Sequence, residues 1–250
     1  MYVVHSCATV ARVLALTERG LSDYEVARRT GVSRSTVQSW RRFGVPEIRR
    51  QEALSRPLDE RAFSYLLGIY LGDGWVGRTG RSWNLQVVLD LSYPDIVREV
   101  AGAIAQVSEA RVRTLMRTKK SSVVIQSSGK DWRNLFPQHG PGKKHERKIE
   151  LVDWQLEITR VHTRKFIRGL IHSDGSRCIN RFSVRLPSGR IGRYAYPRYF
   201  FTNYSADIRA IFCEHCDLLG IRWSRSNPRN ISISHRDSVA LLDSFVGPKS

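Results

Sequence analysis

The sequence predicts an α+β protein: a small three-helix unit at the front, then a helix-and-strand unit written twice. Three observations carry that prediction. Two apolar helical runs, FSYLLGIYLGDGW at 63–75 and FIRGLIHSDGSR at 166–177, both end in Asp-Gly, the second Asp 101 residues after the first. The segments that follow each run also correspond. DLSYPDIVREVAGAIAQV (90–107) answers TNYSADIRAIFCEHCDLLGI (202–221), and SVVIQSSGKDWRNLFPQHGP (122–141) answers NISISHRDSVALLDSFVGP (230–248). Lastly, LSDYEVARRTGVSRSTVQSWRRFG (21–44) has the caps, glycine turn and apolar stripes of two short helices.

In the front unit, ATVARVLALTERG supplies a first helix. Ser22 can cap the second, with Glu25 reaching back in a capping box. Val26 and Ala27 face inward, and Gly31 ends the helix because glycine takes the left-handed conformation most cheaply. Ser33 caps the third helix, whose apolar stripe is Val37 and Trp40. The pattern resembles helix-turn-helix units of recombinases and homeodomain-like regulators. Its outer face offers Arg34, Ser35, Gln38 and Arg41 to base edges and phosphates. A three-helix bundle for protein contacts is the alternative. VPEIRRQEALSRP (45–57), bracketed by Pro46 and Pro57, reads as a linker, so the expected divisions are 1–57, 58–150 and 151–250.

In each later copy the expected order is helix, two strands, helix, two strands, helix. The first copy's strands centre on 83–90, 111–118 and 122–127; the second copy's on 178–186, 191–202, 222–226 and 231–234. Alternation in Phe182-Ser183-Val184-Arg185-Leu186 puts one face on a core and one in water, and PSGR (187–190) is a hairpin turn. Gly68 and Gly72 share a helical face, as do Gly169 and Ser173. Small residues at that spacing let two helices approach closely. The docked helices would bring Asp73 and Asp174 together at one end. Each carboxylate there opposes its helix dipole, at about 0.3–1 kcal/mol, and repels the other. A divalent cation relieves both penalties.

Bulk composition narrows the partners. The net charge is +18, and 31 of the 41 Lys/Arg lie beyond residue 60 against 16 of the 23 Asp/Glu, so the basic excess belongs mainly to the duplicated part. Such a field favours nucleic acid over an acidic membrane, which would call for one basic amphipathic helix. No stretch is long and apolar enough to span a bilayer, and the N-terminus lacks the basic start of a signal peptide. Four cysteines give no disulfide framework, which points to a reducing compartment: cytoplasm, beside the nucleoid in a bacterium. CEHC (213–216) has no second ligand pair and reads as buried helix rather than zinc site. HExxH and GxxxxGK[ST] are absent, so metalloprotease and NTPase readings fail.

LLGIYLGDG and IRGLIHSDG resemble the two signature helices of single-chain LAGLIDADG homing endonucleases, and the resemblance covers residues 58–250. It implies a pseudo-twofold αββαββα pair whose saddle-shaped antiparallel sheets sit on double-stranded DNA, in a monomer with internal symmetry. It implies catalysis and divalent metal (Mg²⁺ or another such cation) at Asp73 and Asp174, with metal-contacting carbonyls from Gly72 and Ser173. It implies a polar water-positioning shell: Asn203 stands at one such place, Leu91 at the other, and Gln126 and Ser234 where a lysine is usual, with Lys130 nearby and Lys119 and Lys120 in a turn. Candidate DNA contacts on the strands are Asn84, Gln86, Arg181, Arg185, Arg193 and Arg198. The basic GPGKKHERKIEL (140–151) joins the copies as a linker that can touch phosphates. The function implied is metal-dependent, site-specific DNA cleavage. The alternatives are a transcriptional regulator that grips DNA without cutting, and a maturase-like RNA-splicing helper.

Overall fold

In a computed structural model the chain is described over residues 7–43, 56–116, 121–247 and 249. Most of the expected 45–57 linker, and the Lys119-Lys120 turn, lie outside the described residues. The chain forms two compact units, Met1–Leu54 and Ser55–Ser250.

The first unit is three helices, α1 (Cys7–Glu18), α2 (Asp23–Thr30) and α3 (Arg34–Phe43). The capping box is present: the Glu25 amide donates to Ser22 Oγ and the Ser22 amide to the Glu25 carboxylate. Gly31 takes φ 71°, the left-handed stop. The Thr36 amide donates to Ser33 Oγ at 3.2 Å, which caps α3. Val13, Leu16, Val26, Val32, Val37 and Trp40 close a small core.

The second unit repeats one pattern. α4 (Glu60–Asp73) leads into β1 (Gly74–Thr79) and β2 (Ser82–Asp90), then α5 (Pro94–Val107), β3 (Val112–Met116), β4 (Ser122–Ser128) and the single turn α6 (Trp132–Leu135). A connector with a 3-10 turn at Lys144–Glu146 and helix α7 (Asp153–Val161) follows. The second copy is α8 (Thr163–Asp174), β5 (Gly175–Arg185), β6 (Ile191–Thr202), α9 (Ala206–Leu218), β7 (Ser224–Asn227), β8 (Asn230–Ile233) and α10 (Arg236–Val246). Both sheets are antiparallel with matching order, β1-β2-β4-β3 and β5-β6-β8-β7.

Four features differ from the sequence expectation. The alternation at 182–186 does not put one face on a core: Phe182, Ser183, Val184 and Arg185 are all exposed, because this end of the β5–β6 hairpin extends beyond the core. The first copy has a further strand, β1, whose GWVGRT lacks a run of β-formers. It forms because Val76 enters the core while the Trp75 ring lies on Gly77; a Cβ there would overlap the ring. The closing helix of the first copy is one turn only, since Pro137 forbids continuation. Helix α7 is an added element between the copies.

The centre is the pair α4 and α8. Ala62 through Leu71 are all buried, and fully burying side chains such as Leu66, Leu67 and Ile69 stabilises by about 1.5–3 kcal/mol each. A Cβ on Gly68 would lie 2.5 Å from the Phe166 carbonyl oxygen, and one on Gly169 would strike the Tyr65 carbonyl oxygen. The small-residue spacing is therefore the seam itself. Polar groups tie α8 to its neighbours beside the seam: Arg168 Nε and Nη2 donate to Glu99 on α5 at 2.9 and 2.7 Å. His172, held neutral by burial with its pKa near 4, bridges Tyr65 Oη and the Val246 carbonyl at 3.0 Å each.

Candidate active site and nucleic-acid face

Each seam helix runs straight into a strand through glycine. Gly74 and Gly175 are extended, with φ of −88° and −96°. Their requirement is space, because a Cβ would lie 2.5 Å from Tyr70 Cα and 2.7 Å from Ile171 Cα. The chain thus turns sharply and leaves Asp73 and Asp174 at the shared end of the seam.

The two acids meet. A Cβ on Gly72 would overlap Ser173 Oγ and lie 2.8 Å from Asp174 Oδ2, so Asp174 folds across the end of α4. Asp73 is exposed, yet the chain packed beside it and the Asp174 charge push its carboxyl up to about 6. Asp174 is also raised by burial, a shift opposed by the Asn203 hydrogen bond and by Lys144 and Lys249. Asn203 Nδ2 donates to Asp174 Oδ2 at 2.6 Å, so one water-positioning candidate is brought to the pair. The Lys144 ammonium donates to the carbonyls of Tyr70, Gly72 (3.3 Å) and Gly74 (2.6 Å). Burial pushes its pKa down to about 8. A cavity of about 410 Å³ opens here, lined by Gly72, Trp75, Lys144, Asp174, Asn203 and Tyr204 among others.

The donor set fits a hard divalent cation. It is all oxygen: two carboxylates, with the Gly72 and Ser173 carbonyls beside them. Among the described residues no group of three or more His, Cys, Asp or Glu forms a metal cage. Protein ligands would fill only part of a coordination sphere, leaving places for water and phosphate oxygens, as Mg²⁺ prefers.

Strand register sorts the other candidates. On the first sheet Leu85, Val87 and Leu89 face the core, so Asn84, Gln86, Trp75, Gln126 and Arg113 share the open face. Gln86 and Gln126 are directly opposed. Asn84 is only 3% exposed, and its Oδ1 accepts from Gln126 Nε2 at 3.2 Å and from Ser128 Oγ. It orders Gln126 rather than reaching outward. Lys130 is exposed past the end of β4 where Ser128 pairs with Asn84, away from the end of β2 nearest the acids, so it is not brought to the pair.

On the second sheet Tyr199 and Phe201 face the core, and Arg181, Arg185 and Arg193 share their side of the long β5–β6 ribbon, exposed toward its tip. Arg198 lies on the opposite, open face with Asn180, Phe182, Tyr194 and Tyr196. Those three rings cluster with centroids 5.5–6.1 Å apart. In the helical unit Arg34, Ser35 and Gln38 are exposed on α3. Arg41 is partly committed inside its own unit, to Asp23 at 2.8 Å and the Leu21 carbonyl at 2.6 Å. Cys213 and Cys216 are buried thiols whose pKa values burial raises.

Sequence reasoning missed Lys144, Trp75, Arg113 and the aromatic cluster. Lys144 was legible only as one cation of a basic connector. The cluster could have been found, because Phe182, Tyr194 and Tyr196 share parity across a recognisable hairpin.

Residues 8–43 match the profile of a homeodomain-like domain. No curated protein matches the chain. Among solved structures, one of mesophilic variants of the homing endonuclease I-DmoI matches at 14% identity and TM-score 0.50, covering 76% of this chain and 91% of that one. An I-DmoI variant bound to its target DNA in the presence of Mg matches at 14% identity and TM-score 0.50, covering 76% and 97%. The N-terminal LAGLIDADG domain of DUF199/WhiA matches at 14% identity and TM-score 0.45, covering 76% and 83%. At such identities the likeness is one of fold: a LAGLIDADG fold follows a homeodomain-like helical unit.

Proposed function

We propose that this chain, a LAGLIDADG fold preceded by a homeodomain-like helix-turn-helix, is a site-specific endonuclease of double-stranded DNA that uses a divalent cation. The observation that carries the reading is the meeting of Asp73 and Asp174 at the seam end, where the charge of one raises the pKa of the other and makes a bound cation favourable. The net charge of +18 supplies the attraction to a polyanion.

The cation would be held by Asp73, Asp174 and the Gly72 and Ser173 carbonyls, and when bound it supplies charge relief and an activated water for phosphodiester hydrolysis. Asn203 fixes the orientation of the Asp174 carboxylate by donating to its Oδ2. Lys144 and Lys249 offset the negative pair. The open faces of the two sheets, with Arg113, Gln86, Tyr196 and Arg198, grip the duplex. Arg34, Ser35 and Gln38 on α3 read a flanking segment.

A second reading is a DNA-binding regulator that does not cut. Its support is the apolar Leu91, packed on the core at the place that Asn203 holds in the other copy. Incubating the protein with a DNA library and Mg²⁺ separates the two. Cuts that vanish in Asp73→Asn and in Asp174→Asn support the nuclease; footprints on intact DNA, unchanged in both variants, support the regulator.

A further inference from the structure

We propose that Lys144 is a built-in cation of the first half-site, holding the carbonyl oxygens at the end of α4 until a divalent ion displaces it. The inference rests on the metal-site reading above and goes beyond it, by assigning the connector a part in metal loading.

Placement comes first. An ammonium has three donors, and here three carbonyls, those of Tyr70, Gly72 and Gly74, accept from it. The Tyr70 ring lies 4.6 Å beneath the ammonium, a cation–π contact. One of the three carbonyls, Gly72, belongs to the oxygen set that would hold a cation. An ammonium and a divalent ion cannot share that oxygen without strong repulsion.

The connector is also held in position. The Ile149 amide donates to Asp207 Oδ2 at 2.8 Å, and Gln138 Nε2 donates to the Glu150 carbonyl at 2.7 Å. Arg147 donates to the Gln138 carbonyl. These bonds flank the 3-10 turn that starts at Lys144 and aim its side chain at α4.

The arrangement is one-sided. The connector occurs once, and the hydrogen bonds of its Lys144 ammonium go to carbonyls of the first copy, while its charge also acts on Asp174. At the second helix end a neutral amide, Asn203, meets the carboxylate instead. The two ammoniums, Lys144 and Lys249, balance the two acids before any metal arrives. Metal loading is therefore an exchange of cations at the first half-site.

The test is Mn²⁺ binding followed by calorimetry on wild type, Lys144→Met and Asp174→Asn. Removing the resident ammonium should tighten Mn²⁺ binding by about 10–100-fold, the range over which outer partners tune metal sites. Should Lys144→Met fold poorly, wild type alone decides: acetylation of Lys144 by acetic anhydride, read by mass spectrometry, should rise with Ca²⁺. The neighbouring exposed Lys143 should stay constant. Unchanged or weaker Mn²⁺ binding in Lys144→Met, or Lys144 acetylation that ignores Ca²⁺, overturns the inference while Asp174→Asn still loses metal. If no variant binds Mn²⁺ at all, the metal-site reading falls and this inference with it.

Discussion

Asn203 Nδ2 lies 2.6 Å from Asp174 Oδ2, whereas Leu91 occupies the same position after the second strand of the first copy. The half-sites are thus chemically unequal. Asn203→Ala should lower Mn²⁺ affinity and Mg²⁺-dependent cutting by about 10–100-fold, since it frees the Asp174 carboxylate to rotate. Leu91→Ala should cost stability but leave affinity near wild type. Calorimetry and plasmid relaxation assays measure both, and nicked circles should appear before linear DNA.

Gly68 sits against backbone that cannot retreat, 2.5 Å from the Phe166 carbonyl for any added Cβ. Gly68→Ala should therefore lower stability by about 3 kcal/mol, the upper end for overpacking. Gly102 meets nothing within 4 Å of its would-be Cβ, so Gly102→Ala should be neutral or mildly stabilising. Urea midpoints of the two variants give the comparison.

Asp73 sets a pH signature in the metal-free protein. Its folded pKa, about 6, exceeds the usual carboxylate value of 3.8. The folded state therefore keeps a proton that the unfolded chain releases, and stability falls as pH rises from near 4 through 6. The exposure of Asp73 screens the effect, so the direction is the expected result. Asp73→Asn should flatten the fall, as followed by urea midpoints across that range.

Register decides which cations grip DNA. Arg198 and Tyr196 lie on the open face of the second sheet, while Arg193 lies on the side of Tyr199. Arg198→Ala should weaken binding and reduce the salt slope by about one, the mark of a lost phosphate contact. Tyr196→Ala should weaken binding with the slope unchanged. Fluorescence anisotropy at several salt concentrations reads both.

Much of this was legible in the sequence because the signals were local. Gly68, Gly72, Gly169 and Ser173 stand at helical spacing, and the structure makes them the seam. The capping box of Ser22 and Glu25 and the turn at Gly31 were equally plain. What escaped depended on distance along the chain. Lys144 reaches Gly72 across 72 residues, and no spacing announces that hydrogen bond. Asn84 looked like an outward polar residue on a strand; only the register that sets it between Gly77 and Ser128 shows why it is buried. Strand β1 was hidden because its stability comes from Trp75 lying over Gly77, not from strand-forming residues.

The most direct measurement is cleavage by purified protein of a randomised duplex library in Mg²⁺, sequenced at the new ends, for wild type, Asp73→Asn and Asp174→Asn. A metal-loaded acid pair predicts defined ends in wild type that disappear in both variants while DNA binding persists. Ends that survive either substitution, or duplex bound at specific sites yet left whole by the wild type, would contradict it.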